Sequence, residues 1–439
     1  MTFKSTSILI SLSVLVYSGN VVYSQVNDSP TPNYSSLSDE KILEQALVLT
    51  MDGQLYDANQ LMDVLLEKEP NNSYYNYLKG FNTLYSEKDH AKAIEYFEKT
   101  IRPATKKLEL LSPESSVTND VYFHTGSAYH FLGNIDSAEH YYTQFTELST
   151  KKSILSDQVT VRLEQCKVAR KLMNSPGDAD VTLIEGPINS ELAEYSPVIS
   201  ADGRELYFTS RRNWDKVDLS KNTFPIDNSY PEDVYLSKLE NNSRWSLPKI
   251  LPLCDPYRNE ASISLSPNMS KLFVYSDKEG NGNLFTSDYQ LDHFTSIEEI
   301  DYEKVNSKSW EPHYSCSNDS TLLIFSSDRR GGEGGRDLWY MTLGDDGNWS
   351  KPINMGPSIN TSEDEDAPFL TLDGEYMYYA SNGPQSIGGF DIFRTKINAE
   401  GETQNPENLG VPINSTGDDL FFSITPVSYT HLTLPTSSW

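Results

Sequence analysis

The chain has 439 residues, with 35 lysines and arginines against 63 aspartates and glutamates, a formal net charge of −28. That balance argues against a nucleic-acid binder, whose phosphate contacts need a basic face, and against attraction to anionic lipid. Hydrophobic residues make up 37%, with 27 Tyr and 17 Phe, so the chain can build real cores and is no disordered acidic tail.

The length allows two or three domains. Three cysteines, Cys166, Cys254 and Cys316, with no C-x-x-C spacing, supply neither a disulfide framework nor a zinc motif. The N-terminus reads as a targeting segment over residues 1–24. Lys4 gives the positive end, residues 8–17 (ILISLSVLVY) the apolar stretch, and Val22-Tyr23-Ser24 a cleavage site ahead of Gln25. The apolar stretch is too short to span a bilayer, and no cysteine follows it to carry a lipid. The expectation is an exported, periplasmic protein, associated with the outer membrane, with no transmembrane segment in the mature chain. A short linker, 25–38, follows.

Residues 39–173 read as paired amphipathic helices. Gly53 marks a helix–helix turn, Ala58 a close contact, and Pro70 a stop. The pattern returns with Gly80, Ala93 and Phe97, and again with Gly126, Gly133, Ala138 and Tyr142. The packing alanines Ala58, Ala93 and Ala138 are spaced 35 and 45 apart, the longer interval holding an insertion around 103–117. These residues resemble tetratricopeptide repeats, whose period is about 34. Residues 154–173 are expected to form a final solvating helix. Such repeats stack to make a core and leave a groove for a peptide or protein. Tyr74, Tyr77, Tyr122 and Tyr129 either line that groove or pack between helices.

Residues 178–426 carry a different repeat. Its units start at Glu194, Glu260, Glu311, Glu365 and Asp419, at intervals of 66, 51, 54 and 54. Eight residues on stand Asp202, Asn268, Asp319 and Asp373, turn formers that tolerate positive φ. Aromatic runs such as Leu206-Tyr207-Phe208 follow as buried strands, and sixteen residues after each start stand Ser210, Ser276, Ser327 and Ser381. A third strand opens at Asp233, Asp337 and Asp391, with Asn283 in the second unit. Closing elements place Asn189, Asn360 and Asn414 five residues before the next start. Short strands at a period of about 50 predict a β-propeller, here four blades and the opening of a fifth. The fold class expected is α + β multidomain: a tetratricopeptide solenoid, then a truncated propeller.

The stretches SPVISADGRELYFTS and FSSDRRGGEGGRDLWY look like TolB-type, WD40-like propeller repeats. The order of signal peptide, tetratricopeptide repeats and propeller is similar to that of OmpA-family envelope proteins of type IX secretion and gliding machinery. That resemblance implies a non-enzymatic scaffold that docks envelope or secretion proteins. It also implies peptidoglycan binding through a further C-terminal domain, for which no residue here stands. The tail 427–439 begins VSYTHLTLPT, which matches one reading frame of a transposase sequencing adapter; Pro426 is taken as the last native residue.

Catalytic and metal patterns are thin. G-x-S-x-G, H-E-x-x-H and P-loop motifs are absent from the sequence, and no cofactor is implied. His124, His130 and His140 share one helical repeat and read as packing or surface residues. Asp277, Glu279, Asn281 and Asp288 loosely mimic a calcium loop, although a solvated hairpin turn accounts for them as well. The alternative function is the N-terminal part of a prolyl-oligopeptidase-like serine peptidase, since propellers of this repeat type also precede α/β-hydrolase domains. A third is a glycan- or ion-binding propeller.

Overall fold

The computed structural model describes residues 37–101, 119–149, 155–213, 229–240, 244–266, 269–277, 282–291, 293–300, 305–424 and 431–432. The targeting segment, most of the linker, the insertion at 103–117 and most of the tail lie outside them. So do Asn268, Glu279 and Asn281. The chain divides into two compact units, the division falling between Leu163 and Glu164.

The first unit is helical: α1 (Asp39–Met51), α2 (Leu55–Lys68), α3 (Ser73–Asn82), α4 (His90–Glu98), α5 (Asp120–Phe131) and α6 (Ile135–Leu148), with α7 (Leu155–Met173) crossing the division. Each of α1 to α5 packs on the next in sequence. The turns are capped as the sequence suggests. Gly133 has φ +73, which lets the Asn134 N–H reach back to the Tyr129 carbonyl, and the Asn134 side chain then accepts the Ser137 N–H to start α6. Ala58, Ala93 and Ala138 are fully buried. Gly126 is there for a ring: a Cβ would lie 2.7 Å from the buried Tyr142 side chain. α7 departs from the expected solvating helix. It buries Leu155, Val159, Cys166 and Ala169, because its apolar residues recur on one face.

The second unit holds four antiparallel sheets in sequence order, the blades of a propeller arrangement. Their first strands are Glu194–Ile199, Glu260–Leu265, Tyr314–Cys316 and Glu365–Leu370. The second strands are Glu205–Ser210, Lys271–Ser276, Leu322–Ser327 and Tyr376–Ser381. The third are Asp233–Glu240, Asn283–Gln290, Asp337–Thr342 and Asp391–Lys396. A two-residue outer strand completes each blade: Lys249–Ile250, Glu298–Glu299, Ile353–Asn354 and Glu407–Asn408. Second strands are almost wholly buried, since layers of neighbouring blades cover both their faces. Beyond the fourth blade, Ser423–Ile424 pairs with His431–Leu432.

Candidate functional site

The repeated acidic residue of each blade is a structural staple. Glu194, Glu260, Glu311 and Glu365 are all buried. Each accepts the hydroxyl sixteen residues on: Ser210 at 3.0 Å, Ser276 at 3.3 Å, Ser327 at 2.7 Å and Ser381 at 2.6 Å. The same serines stand opposite Asp233, Asn283, Asp337 and Asp391 in the strand register. Thus three sequence-repeat positions form one polar row across each blade. Asp337 accepts the Glu333 and Gly334 N–H groups, and Asp391 accepts that of Ile387, so both acids cap the turn before their strand. The turn acids act at the opposite end. Asp202, Asp319 and Asp373 accept the hydroxyls of Ser200, Ser317 and Thr371 and the N–H two residues on, which hold their carboxyls below the usual range.

The inter-blade linkers carry a motif only half visible in the sequence repeats. Asn-Ser/Thr-x-x-x-Glu/Asp occurs at Asn189, Asn306, Asn360 and Asn414. The Ser/Thr N–H and hydroxyl both donate to the acid, at 3.0 and 2.5 Å for Ser190 and Glu194, and 2.8 Å each for Thr361 and Glu365. The Asn grips the preceding blade. Asn360 takes the Leu338 N–H at 2.8 Å and donates to its carbonyl at 3.0 Å; Asn306 and Asn414 do the same at Leu284 and Ile392. Asn306 was legible, since Glu311 follows it by five residues.

In the second blade Cys254 takes the asparagine's place: its Sγ accepts the Val234 N–H at 3.2 Å. Cys254, Asp233 and Glu260 bring ligand atoms within 4.8 Å of one another, the one such group among the described residues. Burial pushes the Glu260 carboxyl up to about 8 and raises the Cys254 thiol. Of the calcium-loop candidates, Asp277 and Asp288 are among the described residues, and they lie at opposite ends of the hairpin. Asp277 follows Ser276 at one end of its hairpin, and its carboxylate takes the Asn259 N–H and side-chain amide. Asp288 stands opposite Lys271 at the other end and pairs with it at 2.6 Å. Six residues of strand, about 20 Å, separate them.

The first strands, with residues 421–424, enclose a cavity of about 370 Å³. Its wall mixes aromatic rings (Tyr314, Phe369, Phe421) with hydroxyls (Ser264, Ser315, Thr371). His313 lies on it, and its Nδ1 is 2.7 Å from Oδ1 of the buried Asp366. Arg336 pairs with the other oxygen at 2.9 Å, and the Ser326 hydroxyl donates to Asp366 at 2.8 Å. Burial would raise the Asp366 carboxyl, but Arg336 and His313 overcome it and hold it well below the usual range. Serine, histidine and aspartate meet here in the wrong order for nucleophilic catalysis. The aspartate sits between the other two, whereas a triad needs the histidine in the middle. His313 and Asp366 come from different blades, so the sequence alone does not bring them together.

The helical unit offers a second surface. Tyr129 and Tyr141 stack with ring centroids 5.4 Å apart and planes 5° from parallel, and Tyr122 lies 6.5 Å from Tyr141. All three are half-buried. The Tyr129 hydroxyl donates to the exposed Glu98 at 3.3 Å. Tyr77 differs: it is buried core, 6.2 Å from the His124 ring. His124 is enclosed by Phe81, Tyr85 and Phe123, its Nδ1 3.0 Å from the Tyr85 hydroxyl. Burial depresses its pKa to about 3, so the ring is neutral and structural. His130 is also buried, and His140 is exposed.

The tetratricopeptide repeat family matches residues 120–152, which include α5 and α6. No curated protein matches the chain. Among solved structures it is similar to TolB from Acinetobacter baumannii, at 14% identity and TM-score 0.31, over 48% of this chain and 45% of that one. A putative TolB from Agrobacterium tumefaciens gives 15% identity and TM-score 0.34, over 54% and 67%. A puromycin-hydrolyzing peptidase from Mycobacterium tuberculosis gives 14% and 0.32, over 54% and 32%. The chain therefore spans less than half of the first TolB and about a third of the peptidase. Helical repeats followed by a bladed β unit define the class as an α + β multidomain protein.

Proposed function

We propose that the protein is an exported, non-catalytic scaffold of the cell envelope that docks protein partners through both of its units. The observation that carries this reading is the pairing of two repeat architectures on one chain, each with its own aromatic surface. The helical unit shows the half-exposed row of Tyr122, Tyr141 and Tyr129. The bladed unit encloses a cavity of aromatic and hydroxyl groups, a lining suited to a peptide whose side chains need apolar contact and whose amides need partners. The order of Ser326, Asp366 and His313 speaks against a hydrolase site there. Export rests on the N-terminal segment. Attachment to peptidoglycan through an OmpA-like domain, and service to type IX secretion, rest on the sequence resemblance alone.

Photo-cross-linking residues placed at Glu139 on α6 and at Ser317 on the cavity wall test the reading in cells carrying the whole gene. Discrete protein adducts from both positions, in the periplasmic or outer-membrane fraction, are expected. A product confined to the cytoplasm overturns it. So does a purified full-length protein that cleaves proline-containing reporter peptides, which would favour the peptidase reading.

A further inference from the structure

We infer that the tyrosine row of α5 and α6 is a docking platform for a cationic segment, an arginine- or lysine-bearing stretch of a partner protein. This deepens the scaffold reading and rests on it. Three rings lie side by side: Tyr122 and Tyr129 are seven residues apart on one face of α5, and Tyr141 of α6 lies beside both. Stacked, half-buried rings hold their faces in place and lose little freedom when a partner binds. The negative face of a tyrosine attracts a guanidinium or ammonium group, and the Glu98 carboxylate at the end of the row supplies the formal charge.

The surroundings have the matching sign. Helices α4, α5 and α6 carry six carboxylates against one lysine, Lys92. Among the described residues, no lysine or arginine sits over these three rings or pairs with Glu98. Lys99, just beyond α4, lies over Tyr96 instead. The molecule uses the same pairing of ring and carboxylate internally. The Arg329 guanidinium lies 4.5 Å over the Phe325 ring while it pairs with Glu311 at 3.0 Å. The rings of α5 and α6 and the acid at the end of α4 are present and face outward, and the cation is what a partner would bring. A neutral sugar ring also stacks on tyrosines, but the net negative charge of the surroundings attracts a cation over it.

The test uses the purified chain and three probes: a fluorescein-labelled dodecapeptide alternating arginine and glycine, its citrulline counterpart of equal shape and no charge, and chitohexaose. Anisotropy should show the arginine peptide binding about tenfold tighter than the citrulline one. Tyr141→Ala should weaken it by about fivefold and Glu98→Gln by about threefold. Glu67→Gln, an equal charge change on the exposed face of α2, should leave it unchanged. Thermal melts identify any variant that fails to fold, and Glu98 is exposed enough to keep the test usable if Tyr141→Ala does not. Equal binding of the two peptides overturns the inference. An equal effect of Glu67→Gln and Glu98→Gln reduces it to general charge attraction and also overturns it. Chitohexaose binding that Tyr141→Ala abolishes would make the row a glycan face instead. If the peptide ignores the row while cross-links from Ser317 persist, the platform falls and the scaffold stands.

Discussion

Ser320 has φ +59 in the hairpin of the third blade, where Gly203 and Gly374 stand in the first and fourth at φ +70 and +73. A β-carbon is strained in that region and glycine is not. Ser320→Gly should therefore stabilise the bladed unit by about 1 kcal/mol, read as a rise in the urea midpoint at unchanged slope. Ser381→Ala should act the other way. It removes the 2.6 Å hydroxyl donor of the buried Glu365 carboxylate, and about 1–3 kcal/mol should be lost. Sequence periodicity displayed Glu365 and Ser381 as repeated letters sixteen apart, but strand register was needed to bring them together. His313 and Asp366 showed no such period, since each occurs in one blade only. Tyr141 was hidden by its neighbour. One residue further along the helix turns Tyr142 into the core, and a run of two tyrosines does not say which is which.

In the helical elements the close contacts decide tolerance. Alanine is the better helix former, yet Gly126→Ala should cost about 1–3 kcal/mol, because its methyl group would meet the immobile Tyr142 ring. A lower melting temperature of the helical unit, with helical circular dichroism intact at low temperature, is the expected readout. This constraint was visible as a glycine and an alanine returning at set spacing, which is why the paired helices were legible. The length of α7 was legible too. Its role was not, since the apolar stripe that buries Cys166 and Ala169 is narrow among charged neighbours. In the bladed unit, Asn360→Ala should cost about 2–3 kcal/mol, since it strands both backbone groups of the buried Leu338. Asn306 and Asn414 make the same bonds, so equal losses at all three are expected. Cys254 broke the pattern of letters while preserving the bond, and no repeat search on residue identity finds such a replacement.

At the scale of the molecule, the two units should answer acid in opposite directions. His124 is held at about 3 against 6.5 for a free imidazole, so below about pH 6.5 the unfolded chain takes up a proton that the fold refuses. Helical stability is then lost as pH falls, by about 1.4 kcal/mol per unit. Glu365, pushed up to about 7 from 4.5 by burial, is the reverse case. Its contribution is full below about pH 4.5 and is lost as pH rises through 7; Glu260 at about 8 and Asp419 at about 6 share its sign. Calorimetry from about pH 7 to about pH 5 should show the helical transition moving down and the bladed transition moving up. His124→Phe should abolish the first shift and leave the second. The linkers explain one more property of the chain, its tolerance of added length. Asn and acid stay five residues apart in four linkers, whereas the serine and the opening of the third strand are separated by 23, 7, 10 and 10 residues. Blade is bolted to blade at the linker, so the connection after each serine is free to grow without disturbing the neighbouring blades. A foreign peptide grafted between Ser210 and Asp233 should be carried as passive cargo, while a single residue added between Asn360 and Glu365 should prise the fourth blade from the third.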